Sequence, residues 1–225
     1  MKQLLAIIAL IFSLTTLEAK IHNERTELHH LVHTIRDPQT DPKHFRDALK
    51  KIGEYLALET LQTFTRKEVE VRTLTKASAT HYLCDEKPVL VTIMRAGLPL
   101  VLGVQEIFPN SEVGFLGTMR DEETLKPSTT YIALPTIKNK TVILVDTMLA
   151  TGGSILDAVK IIEERGPAQI IVICAIAAKD GIARVLAHNS SITIYAAATD
   201  PILNEKGYIV PGLGDAGDRS YGEKH

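Results

Sequence analysis

The stretch Val142-Ile-Leu-Val-Asp-Thr-Met-Leu-Ala-Thr-Gly-Gly-Ser154 decides how this chain is read. Its unbroken aliphatic opening predicts a strand buried on both faces, as a parallel sheet requires. Asp146 ends that run, and Gly152 and Gly153 then permit positive φ and close backbone approach as the chain turns into a helix. Thr151 and Ser154 bring hydroxyls and backbone N–H groups to the first helical turn, where a phosphate would also meet the positive end of the helix dipole. Asp146, at the carboxyl end of the strand, has the chemistry to accept hydrogen bonds from a sugar diol or from a hydrated Mg2+. No Gly-Lys-Ser/Thr follows, and the glycine spacing is not Gly-x-Gly-x-x-Gly, so ATP and NAD cradles are disfavoured. On these residues alone the plainer alternative stays open, a tight strand-to-helix turn with Ser154 as its cap.

Working outward, the chain after Lys87 alternates. Strands are expected over 88–93, 112–117, 141–146, 169–177 and 191–197, and helices over about 97–108, 153–165 and 179–188. Such alternation predicts an α/β fold, an open and mostly parallel sheet with helices on both faces. Ligands of such sheets bind beyond the carboxyl ends of the strands, where Arg95 and Asp146 both fall. The stretch 117–135 lacks a helical period and carries Thr129, Thr130 and Tyr131, so it reads as a β-hairpin arm able to fold over the site or reach a partner subunit. Upstream, Asp41-Pro42 followed by Phe45, Leu49, Ile52 and Leu56 reads as a capped amphipathic helix covering the sheet. The run at 179–181 reads as a turn into the next helix.

With 225 residues, 45% of them hydrophobic, one sizeable core and one domain are expected. A formal net charge of −2 offers no basic footprint for nucleic acid. Cys84 and Cys174 are too few and too distant for a disulfide framework and read as structural. His29, His30 and His33 are spaced along a helix, yet no Cys or acidic partner at ligand spacing accompanies them, so a solvated face is the reading preferred over zinc. Residues 1–20 are shaped like a secretory signal, with Lys2 before an apolar run from Leu4 to Leu14, but that run is short for a membrane span and Leu17 fits a cleavage site poorly.

Four motifs in order carry a resemblance. Asp146 to Ser154 resembles the phosphoribosyl-pyrophosphate (PRPP) loop of the uracil phosphoribosyltransferases, and Leu203-Asn-Glu-Lys-Gly-Tyr-Ile-Val-Pro-Gly-Leu-Gly-Asp-Ala-Gly-Asp-Arg219 resembles their uracil-binding segment almost letter for letter. Arg95-Ala-Gly-Leu98 and Arg120-Asp-Glu-Glu-Thr124 with Lys126-Pro127 complete the set. The resemblance spans about residues 28 to 225 and implies a type I phosphoribosyltransferase-like fold in a domain over 21–225. It implies that PRPP binds through Arg95, Arg120, Asp146, Thr147, Met148, Leu149, Ala150, Thr151, Gly152, Gly153, Ser154 and Asp215. Uracil would meet Ile209, Gly214, Asp215 and Ala216, with Asp215 and Arg120 as the catalytic pair. Mg2+ is expected as the cofactor, held through PRPP and water and not by protein ligands. The implied product is UMP, with pyrophosphate released, in a cytoplasmic homodimer or higher homo-oligomer; some members respond to GTP, which makes GTP an allowed effector. Because PRPP is cytosolic, the signal-like segment is best explained by an assigned start upstream of the true one; an unusual addition or a packed hydrophobic helix are the alternatives. Three departures from the family pattern stand out: Thr147 and Thr92 replace prolines, and Met119 replaces a tyrosine. They put loop rigidity in question more than reaction type.

Overall fold

The computed structural model describes residues 20–21, 26–120 and 127–223. The signal-like run and the 121–126 tip of the expected arm lie outside the described residues. In chain order the elements are β1 (Lys20–Ile21), α1 (Thr26–Arg36), α2 (Pro42–Thr60), β2 (Arg66–Arg72), β3 (Ser78–Cys84), β4 (Val89–Met94), α3 (Leu98–Ile107), β5 (Val113–Arg120) and β6 (Pro127–Ala133). They continue with β7 (Thr141–Leu149), α4 (Gly153–Glu163), β8 (Gln169–Ala178), α5 (Lys179–His188), β9 (Thr193–Asp200), β10 (Ile202–Leu203), β11 (Ile209–Val210) and α6 (Ala216–Tyr221).

Seven strands form the main sheet in the order β1-β9-β8-β7-β4-β5-β6, parallel throughout except where β6 returns antiparallel along β5. The continuous apolar runs have a direct cause. Along β7, Val142 and Leu144 enter one core while Ile143 and Val145 enter the other; along β8, Ile170, Val172 and Cys174 alternate in the same way with Ile171, Ile173 and Ala175. Period-two alternation between two buried faces leaves no solvent face to carry polar residues. One core is closed by α1, α2, α3 and the C-terminal tail, the other by α4 and α5.

The helix expected after Asp41 forms, and the Asp41 side chain accepts the His44 N–H at 3.0 Å with Pro42 at the first helical position. It then crosses α3 at glycine contacts. A Cβ on Gly103 would lie 1.8 Å from the Lys50 carbonyl oxygen, and one on Gly53 2.2 Å from that of Leu100, so the two backbones touch where no side chain fits.

Two expectations need adjustment. β7 does not stop at Asp146 but runs to Leu149, so the phosphate-loop sequence begins inside a strand. The 117–135 hairpin exists as β5 and β6, with a register slip at Gly117/Thr118, but it widens the main sheet at its edge. A second hairpin, β2 with β3, forms its own two-stranded sheet with mostly exposed side chains. His29, His30 and His33 occupy the exposed side of α1.

Candidate active site

Apart from the edge strand β1, sequence order runs outward in both directions from the junction of β4 and β7, which makes this junction the point where the winding of the sheet reverses. A crevice opens there beyond the carboxyl ends of the strands. It holds a cavity of about 600 Å³, lined by Arg95, Thr118, Asp146, Met148, Ala150 and Ser154 on the sheet side and by residues 205–209 and 214–217 on the other. The phosphate-loop sequence and the glycine-rich tail, about 60 residues apart in the chain, are thereby brought to opposite walls of one space.

The loop is built as its sequence demands. Gly152 sits at φ 78°, open to glycine at little cost, and precedes the first turn of α4. The Gly153 N–H donates to the Thr151 hydroxyl at 3.3 Å, and Arg184 holds the Thr151 carbonyl at 3.0 Å. Beneath the loop lies Gly181 at the start of α5, where an added Cβ would stand 2.2 Å from the Ala150 carbonyl oxygen. The Lys179-Asp-Gly run is therefore more than a turn; it lets a helix press against the back of the loop.

Asp146 is only 7% exposed and still borders the cavity. Burial pushes its carboxyl up to about 7, the Thr147 N–H donating at 2.8 Å opposes that, and the nearby Asp215 charge adds to it. Burial likewise pushes the Cys174 thiol up, consistent with a structural role. Arg95 follows a cis Met94–Arg95 peptide and donates to Asp218 at 2.8 Å and to the Gly222 carbonyl at 3.2 Å.

The tail is fastened from outside the cavity. Buried Asp200 accepts two bonds from Arg36, at 2.6 and 2.8 Å, and one from the Gly212 N–H at 2.9 Å. Arg219 donates to the carbonyls of Ile35, Leu213 and Asp37 and stacks over the Phe45 ring, 4.3 Å from its centroid. Asp215 caps α6, its carboxylate accepting the Asp218 N–H at 2.9 Å.

Among the expected site residues, Arg95, Asp146, Met148, Ala150, Ser154, Ile209, Gly214, Asp215 and Ala216 share the cavity. Thr147 and Leu149 are fully buried, while Thr151, Gly152 and Gly153 form the turn beside the cavity. The backbone of Arg120 pairs with Pro127, and its side chain lies outside the described residues. The sequence reading missed Thr118, whose hydroxyl pairs with Thr129 at 2.9 Å while Thr129 donates to Asp157 on α4 at 2.5 Å. It also missed the Arg36–Asp200 clamp. A lone acidic residue between an apolar strand and Pro201 was the one available sign of that clamp.

A switch-point crevice with a glycine phosphate loop on one wall and an arginine beside it defines the type I phosphoribosyltransferase class. Residues 22–223 match the family model for uracil phosphoribosyltransferase. The chain belongs to the uracil phosphoribosyltransferase family. It is 42% identical over 198 residues to the uracil phosphoribosyltransferase of Bacillus velezensis, covering 88% of this chain and 95% of that protein. It is also 42% identical over 196 residues to that of Clostridium botulinum, covering 87% and 94%. The solved structure of the AQ2163 protein from Aquifex aeolicus superposes with a TM-score of 0.82 at 37% identity, over 90% of this chain and 98% of that one.

Proposed function

We propose that this enzyme transfers the phosphoribosyl group of PRPP to N1 of uracil, forming UMP and releasing pyrophosphate in pyrimidine salvage. The observation that carries the reading is the single cavity between the phosphate loop and the glycine-rich tail, in a chain that belongs to this family. In the reaction the bond from the anomeric carbon to pyrophosphate breaks, the N1 bond forms, and the N1 proton leaves. The sugar passes through oxocarbenium character, so the protein acts by orientation, charge placement and exclusion of water.

The amides from Ala150 to Ser154 receive the 5′-phosphate, and Asp146 accepts the ribose hydroxyls. Arg95, joined by Arg120, meets the pyrophosphate oxygens in pairs. The tail presents main-chain donors and acceptors at Ile209, Gly214 and Ala216 to the edge of the pyrimidine. Asp215 borders both subsites and takes the N1 proton. Three carboxylate residues line the cavity, Asp146, Glu205 and Asp215, of which only Asp146 is buried, and they would suit a hydrated Mg2+ arriving with PRPP better than a stripped ion held by protein alone. Such an ion would supply charge neutralisation at the pyrophosphate.

Among the described residues no helix is long and apolar enough to cross a membrane. We place the working domain at residues 21–225, in the cytoplasm where PRPP is made. A homodimer or larger assembly is supported by the β2–β3 hairpin, which presents Val71, Leu74, Tyr82 and Leu83 to solvent. Light scattering should give at least twice the chain mass; a monomer removes this part of the reading.

The purified chain, incubated with PRPP, Mg2+ and each of uracil, orotate, adenine and guanine, is expected to yield UMP from uracil alone. Product from another base, or none from any, overturns the assignment. In the same assay Asp215→Asn should lower kcat by about 100-fold, the usual scale for a positioned base; full turnover with unchanged affinities ends that role for Asp215. Adding GTP to the same reaction tests it as an effector.

A further inference from the structure

The parallel ladder between β4 and β7 ends at the pair Thr92 and Val145, and beyond it the two backbones part to make the crevice. Two hydroxyls bridge the gap the ladder leaves. The Thr92 hydroxyl donates to the Val145 carbonyl at 3.1 Å, and the Thr147 hydroxyl donates to the Ala96 carbonyl at 2.6 Å, each from a side chain with no exposed surface. Neither hydroxyl reaches toward the cavity. Between them sits Gly97, where a Cβ would stand 2.3 Å from the Thr92 hydroxyl oxygen and 2.8 Å from the Val145 carbonyl oxygen, so the turn after Arg95 lies directly on the end of β7.

We propose that Thr92 and Thr147 are positioning residues for PRPP: paired hydroxyl staples that fix the Arg95 turn relative to the loop at 150–154. This rests on the reading of the cavity as a PRPP site. PRPP carries phosphate at both ends of one sugar. Its pyrophosphate belongs with Arg95 and its 5′-phosphate with the loop, so its affinity depends on the spacing between two subsites carried on different strands. The two hydroxyl bonds tie the segments to each other. Each half-site is complete without the staples; only their separation depends on them.

The test uses Thr147→Val, which keeps size and removes the donor, alongside Thr92→Val and Thr147→Ser, with binding measured for ribose 5-phosphate, inorganic pyrophosphate and PRPP. Thr147→Val and Thr92→Val should each bind the two half-ligands within twofold of the parent and PRPP about tenfold more weakly, on the scale of one lost buried hydrogen bond. KM for PRPP should rise accordingly while kcat changes less than threefold, and Thr147→Ser should restore both. Unchanged PRPP affinity overturns the proposal. So does equal weakening of the half-ligands, which would mean that the threonines support each loop and not the spacing. If the parent binds the half-ligands and PRPP but makes no UMP, the functional assignment fails while the staples stand.

Discussion

Asp146→Asn should give a protein that is more stable than the parent at pH 8 and about 100-fold weaker in binding PRPP. The carboxyl has an ordinary value of 3.8 and stands at about 7 in the fold, because burial disfavours its charge. Between those values the native state holds a proton that the unfolded chain has lost, so this group removes stability as pH rises from about 4 to 7, and the loss is complete above 7. The separation of about three pH units sets an upper limit near 4 kcal/mol. An asparagine still accepts the Thr147 N–H without carrying charge. Thermal unfolding followed from pH 4 to pH 8 should show the two proteins converging at the acid end. At pH 8 the variant should melt roughly 5 °C or more higher, given about 2–4 °C per kcal/mol for a chain of this size. The cost falls on the ligand: hydrogen bonds from the ribose diol to an anion contribute about 1.5–3 kcal/mol each, and a neutral amide forfeits much of that. Equal melting points at pH 8, or undiminished PRPP binding, would show that Asp146 is neither destabilised by burial nor directed at the sugar.

The second large effect is expected at a residue that does not itself line the cavity. Gly181→Ala places a methyl group 2.2 Å from the Ala150 carbonyl oxygen and 3.0 Å from that of Leu149, both backbone, so either the start of α5 or the phosphate loop must shift by about an ångström. The fit is tight in both directions, since a Cβ on Gly152 would in turn stand 3.3 Å from the Gly181 carbonyl oxygen. A displacement of that size at a positioning element costs on the order of 100-fold. KM for PRPP should rise on that scale while the variant remains folded by circular dichroism; a KM within twofold of the parent would mean that the loop does not depend on α5 for its place.

How much of this was legible in the sequence follows from the range of the interactions. The β7 strand, the Gly152 turn and the order of helices could be read because period and glycine chemistry are local. The β2–β3 hairpin escaped because Arg66-Lys-Glu-Val-Glu-Val-Arg72 has almost no apolar face to betray a strand, and its partner strand is mostly exposed as well. Thr147 stood out as a departure from the resemblance, but its bond to Ala96 joins positions 51 residues apart. Arg36 and Asp200 are separated by 164 residues, and the lone carboxylate before Pro201 does not say which cation it meets. Local chemistry picked out the glycine loop at 150–154; the contacts that hold the C-terminal tail opposite it are long-range and emerge only from packing.

The fastening of the tail by the first helices has a consequence for biosynthesis. Its contacts join residues 35–46 to residues 200–220 across separations of 164 to 184 positions. A ribosome releases the early helices long before their mates exist. The cavity wall formed by residues 205–217 is thus the last part of the molecule to be secured, and a half-made polypeptide already carrying the 150–154 loop has nothing to face it.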